Sequence, residues 1–75
     1  MSEKLPVLSA QDMMRILKKY GYEFDRQSGS HIILRQTIEP YRRATIPNHK
    51  EVAKGTLRDI MRQTGLSIDE IRSAL

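Results

Sequence analysis

Tyr22-Glu23-Phe24-Asp25-Arg26-Gln27-Ser28-Gly29-Ser30-His31-Ile32-Ile33-Leu34-Arg35-Gln36 is the stretch on which the fold depends. Tyr22, Phe24 and Arg26 alternate with Glu23, Asp25 and Gln27, the period of a half-buried strand. Ser28-Gly29-Ser30 then reads as a tight turn, since Gly29 accepts the positive φ of a sharp reversal and Ser30 can bond to nearby backbone. A second strand follows from His31 to Gln36. Ile32 and Leu34 point toward a core, and His31, Ile33 and Arg35 point the other way. Strands joined by so short a turn must be antiparallel.

Beyond Gln36, Thr37 to Tyr41 is a turn or loop containing Glu39-Pro40. A third strand spans about Arg42 to Ile46, and Pro47 ends it because proline cannot donate to a ladder. Asn48 to Lys54 is a polar loop. Gly55-Thr56 opens a long helix with Thr56 and Asp59 as a capping box and Leu57, Ile60, Met61 and Thr64 as its inner stripe; Gly65 closes it. Ser67 with Glu70 caps a last short helix carrying Ile68, Ile71 and Leu75. On the other side of the hairpin, Met1 to Leu8 is a lead-in. Ser9 and Asp12 form a capping box for a helix over about Ser9 to Tyr20, whose apolar stripe is Met13, Ile16, Leu17 and Tyr20 and whose left-handed end is Gly21. The chain is thus α+β: α-β-β-β-α with a three-stranded antiparallel sheet, two helices on one face and a short C-terminal helix. Double-stranded-RNA-binding domains have this order of elements.

Seventy-five residues make one small domain with a thin core, so its site should be shallow and open, better suited to a polymer than to an engulfed small molecule. There is no cysteine, which fits a reducing compartment, and no apolar run or signal-peptide core; the expectation is a soluble, cytoplasmic protein with no membrane contact. Thirteen basic against nine acidic residues give a net charge of +4, which favours approach to polyanions. G-x-S-x-G, a cysteine nucleophile and a P-loop are all missing, so those enzyme classes have no support.

His31 is the first residue of its strand, at a turn mouth, and histidine is the side chain that exchanges a proton near neutrality. Arg35 shares its sheet face. A proton-transfer group beside a fixed cation suits a phosphodiester; a histidine merely bonded to the turn is the plainer reading. His49 is either the second member of an acid–base pair or a loop-fixing residue. Lys54-Gly55-Thr56 either cradles a phosphate at a helix start or simply caps it. Arg35, Arg42 and Arg43 are phosphate-contact candidates or a solvated sheet edge. Lys18 and Lys19 belong to an exposed helix face, Ser30 orients His31 or stabilises the turn, and Tyr20 and Phe24 fill a core. Two histidines without cysteine fall short of the three or four ligands a zinc site needs, so no metal or other cofactor is expected.

The chain resembles the HicA toxins, or YcfA-like proteins, over about residues 8 to 66. The resemblance lies in Leu17-Lys18-Lys19-Tyr20-Gly21-Tyr22, Gly29-Ser30-His31, Ile46-Pro47-Asn48-His49, Lys54-Gly55-Thr56-Leu57 and Gln63-Thr64-Gly65-Leu66. It implies one domain over 1–75, a fold like a double-stranded-RNA-binding domain and metal-independent cleavage of mRNA. It also implies a HicB-like antitoxin as partner, the expected route to any larger assembly. The histidine of the Gly-Ser-His turn, catalytic in that family, maps onto His31. Beside it, the residues themselves offer Gly29, Ser30, Arg35, Arg43, His49, Lys54 and Thr56 as candidate RNA-binding positions. Relatives often have a glycine-containing turn where this chain has Thr37 to Tyr41. Two other functions fit the same residues: a non-catalytic RNA-binding domain, and a module that meets an acidic protein partner.

Overall fold

A computed structural model describes residues 5–75, so the first half of the lead-in lies outside the described residues. The elements are α1 (Ala10–Lys19), β1 (Tyr22–Ser28), β2 (His31–Gln36), β3 (Arg43–Pro47), α2 (Lys54–Thr64) and α3 (Ile68–Ser73). The strands form one antiparallel sheet in the order β1-β2-β3. This is the expected α+β arrangement. One face of the sheet supplies Tyr22, Ile32, Leu34, Ala44 and Ile46 to a core completed by Met13, Ile16 and Leu17 of α1, Leu57 and Ile60 of α2, and Ile71 of α3. The opposite face, with His31, Arg35, Arg43 and Thr45, is exposed.

Local chemistry sets the boundaries. At the start of α1, the Asp12 amide donates to Ser9 Oγ (3.1 Å) and the Ser9 amide donates to Asp12 Oδ2 (3.0 Å), which closes the expected capping box. Ser67 and Glu70 repeat it at α3. The first hairpin is tighter than its sequence suggests: Ser28 belongs to β1 and pairs with His31, leaving Gly29-Ser30 as a two-residue loop. Gly29 has φ +60° and Ser30 is not among the positive-φ residues, the sign pattern of a type II′ turn that needs glycine first.

Four expectations are corrected. α2 begins at Lys54 with Ala53 as its N-cap and no side-chain cap, so the Thr56–Asp59 box does not form. The Leu57 amide already bonds the Ala53 carbonyl (2.8 Å), placing Thr56 inside the first turn, and Asp59 instead faces Arg62 at 3.3 Å. Phe24 is 58% exposed and not in the core: it keeps its register opposite Leu34, but on the outer strand it stands at an open groove beside Met14 and Lys18, and only Tyr22 of that strand is buried. Leu75 is exposed, and Ala74 closes the core in its place. Pro47 is the last residue of β3 and lies opposite His31, so it ends the strand from within.

The β2–β3 connection keeps its register without glycine. The Gln36 amide donates to the Arg42 carbonyl (2.9 Å), and the Arg42 amide donates to Gln36 Oε1 (2.9 Å). Tyr41 takes φ +57°, a left-handed conformation that costs a residue with a Cβ about 1–2 kcal/mol. Tyr41→Gly is therefore expected to be neutral or to raise the thermal midpoint, whereas the β-branched Tyr41→Val lowers it. A clear fall for the glycine variant would contradict the strain. A second prediction concerns α1, where Ser9→Ala should cost about 1 kcal/mol in urea unfolding. The Ser9 amide, then the Ser9 hydroxyl, and more weakly Arg15, hold the Asp12 carboxyl below its ordinary range against a small opposing effect of burial. A lowered folded-state value gives stability that is complete above the ordinary carboxylate range and is lost as pH falls through the lowered one. Asp12→Asn should accordingly destabilise most at neutral pH and progressively less below about pH 3.9, as measured by urea midpoints across the acid range.

Candidate functional site

His31 emerges from the hairpin on the open face of the sheet, directly across from Pro47. Its exposure follows from alternation: Ile32 is drawn into the core, so the residue before it must face outward. Two hydrogen bonds beyond the last ladder pair continue the alignment. The Asn48 amide donates to the Ser30 carbonyl (2.6 Å), tying the chain that leaves β3 to the turn that precedes β2. The His49 amide bonds the Pro47 carbonyl (2.8 Å), and the His49 carbonyl accepts from the Ala10 amide at the start of α1 (3.0 Å). Both histidines are thus held through their backbones while their side chains remain exposed.

α2 completes the arrangement. Thr56, Asp59 and Gln63 lie on one stripe of the helix at i, i+3 and i+7. Gln63 Oε1 accepts from the Thr45 amide (3.0 Å), satisfying a donor on the free edge of β3 and joining helix to sheet. Between them is an open groove of about 330 Å³ whose lining includes His31, Thr45, His49, Thr56, Asp59 and Gln63. The loop fixed at Asn48 and the helix fixed by Gln63 bring together residues from four parts of the chain.

The expected basic groups are placed differently. Arg35 shares the face of His31 but stands four strand residues away, roughly 13 Å at about 3.3 Å per residue. Its guanidinium faces Asp25 at 3.7 Å, and it lines a separate groove with Phe24 and Tyr41. Arg43 is its cross-strand neighbour at that same distant end. Lys54 lines another depression, beside Val7 and Val52. Arg42 leaves the open face altogether: its guanidinium lies against Gly65, and its charge opposes the upward push that burial gives the Tyr22 hydroxyl. Lys19 donates from Nζ to the Ala74 carbonyl (2.9 Å), while Lys18 is exposed on α1. Tyr20 is half-buried, its hydroxyl donating to the Glu70 carbonyl. Among the described residues, no lysine or arginine lines the His31 groove.

Thr45, Asp59 and Gln63 escaped the sequence reading as site residues. Asp59 looked like a cap, and the helical stripe Thr56-Asp59-Gln63 was the available signal. Among the described residues no three His, Cys, Asp or Glu side chains gather as a metal site. No helix among them is long and apolar enough to cross a membrane.

A family model described as the HicA toxin of bacterial toxin–antitoxin matches residues 10–66. The chain belongs to the HicA toxin family. The match runs from the first residue of α1 to just past Gly65 and so takes in every element that lines the His31 groove. Comparison with curated proteins and with solved structures gave no match. Membership makes this chain the toxin type of a toxin–antitoxin pairing.

The Gln63 contact is testable. Gln63→Leu leaves the Thr45 amide without its acceptor and should cost about 0.5–1.5 kcal/mol, with faster hydrogen exchange at that amide. Gln63→Glu keeps an acceptor and should lose less. Unchanged exchange in the leucine variant would show that the contact does not hold α2 to β3.

Proposed function

We propose that this HicA-family protein is a metal-independent endoribonuclease, an mRNA interferase of a type II toxin–antitoxin pair. It acts in the cytoplasm and is held in check by a HicB-like antitoxin. The single observation that carries the reading is an exposed histidine, His31, fixed by its strand at the edge of a shallow groove open to a polymer.

RNA carries its own nucleophile. Removing the 2′-OH proton lets that oxygen attack the adjacent phosphorus, giving a 2′,3′-cyclic phosphate and a free 5′-OH. In this reading His31 is the general acid–base group. Gly29 and Ser30 shape the turn against which the RNA lies, and Thr56 and His49 contact it in the groove. Arg35 and Arg43 are too far along the sheet to serve the phosphate being cleaved, so their part is to hold flanking phosphates, which positions a strand without reading its sequence. Lys54, at the start of α2, does the same on the other side. The antitoxin is expected to cover this face.

The test is incubation of RNA with wild type and His31→Ala at equal folded concentration, with and without chelator, followed by analysis of product ends. The expected result is chelator-resistant cleavage leaving cyclic phosphate, reduced about 10²–10⁴-fold by the substitution. Undiminished cleavage by His31→Ala removes the catalytic role. RNA retention in a gel shift with no cleavage by wild type would make the protein a non-catalytic RNA-binding domain.

A further inference from the structure

The groove beside His31 holds the chain's other histidine, and its remaining lining sorts the groups able to move a proton. Thr45 and Thr56 hydroxyls ionise far above neutrality, and the Gln63 amide does not titrate. Asp59 already has a partner outside the groove's histidines, the Arg62 guanidinium at 3.3 Å. That leaves His49. Its backbone is secured on both sides, by the Pro47 carbonyl and the Ala10 amide, while the imidazole is free of any role in those bonds. A loop-fixing histidine would do its fixing through the ring; here the main chain does it.

We propose that His49 is a second catalytic residue, the general acid that completes the reaction begun at His31. The assignment rests on the ribonuclease reading above. His31 takes the proton of the ribose 2′-OH as the O2′–P bond forms. The P–O5′ bond breaks, its electron pair departs on O5′, and the His49 imidazolium supplies the proton that makes the 5′-OH. His31 gains one proton and His49 loses one, and exchange with water restores both before the next turnover. No oxidant, reductant or co-reactant enters.

The leaving group provides the test. A cleaved linkage is first mapped in ordinary RNA. A short DNA oligonucleotide is then made with a single ribonucleotide at that linkage, once with the natural 5′-oxygen and once with a 5′-bridging sulfur. A thiolate leaves without needing a proton, so loss of a general acid is tolerated with sulfur and not with oxygen. His49→Ala should lose about 10²–10⁴-fold in kcat on the oxygen substrate, with a thermal midpoint near wild type, and return to within a small factor of wild type on the sulfur substrate. His31→Ala should be defective on both. Equal loss by His49→Ala on both substrates would make the residue structural, and full activity on oxygen would remove it from the reaction. Rescue confined to His31→Ala would reverse the two roles. Each of these overturns the assignment and leaves the ribonuclease reading of the protein standing, whereas absence of cleavage by wild type defeats that reading itself.

Discussion

The bond from the Asn48 amide to the Ser30 carbonyl, at 2.6 Å, is the constraint on which the rest of the groove depends. It extends the β2–β3 pairing past the point where Pro47 can no longer donate. By doing so it fixes the first hairpin's turn to the segment that leaves the sheet. His31 is the residue after Ser30 and His49 the residue after Asn48, so one main-chain contact sets the relative placement of both rings' backbones. The Ala10 amide then anchors the His49 carbonyl to α1, and the Val52 amide anchors the Leu8 carbonyl to the far side of the same loop. The loop, exposed from Asn48 to Glu51, is thereby tied down by main-chain bonds and by Val52, which is buried in the core.

Local chemistry was readable from the sequence where a few neighbouring residues decide the outcome. Ser9 with Asp12, and Ser67 with Glu70, close their boxes within four residues, and Gly29 dictates its turn. Thr56 with Asp59 carries the same signature and does not close, because the competition at that helix start is settled by Ala53, whose extended backbone already provides the first carbonyl. Alternation likewise could not reveal the extra residue at Asp25, nor that Phe24, on the outer strand, is left uncovered. The groove was legible only in part: His31 and Thr56 stood out by their immediate surroundings. Their meeting with His49, Asp59 and Gln63 depends on sheet register and helix docking, which no local pattern contains.

The same distinction applies to charge. A net charge of +4 suggested cations beside the histidine, yet the arginines of the open face sit at the other end of the strands, one of them facing Asp25. At the groove itself the fixed charge is the acid Asp59. A charge count bears on the field around a molecule and says little about which groups share one groove. The basic excess and the histidine groove are separate features of this surface.

The bulge at Asp25 has a bearing on how the protein survives alone. β1 is an outer strand, and an outer strand offers unpaired backbone groups to any passing chain. Here its exposed run carries Glu23, Asp25 and Arg26, and the bulge kinks the edge in the middle. Another copy seeking to extend the sheet would meet mismatched spacing and buried charge, so the rim discourages fibrous self-association. The extra residue that interrupts the pairing of β1 thus also guards the free rim of the sheet.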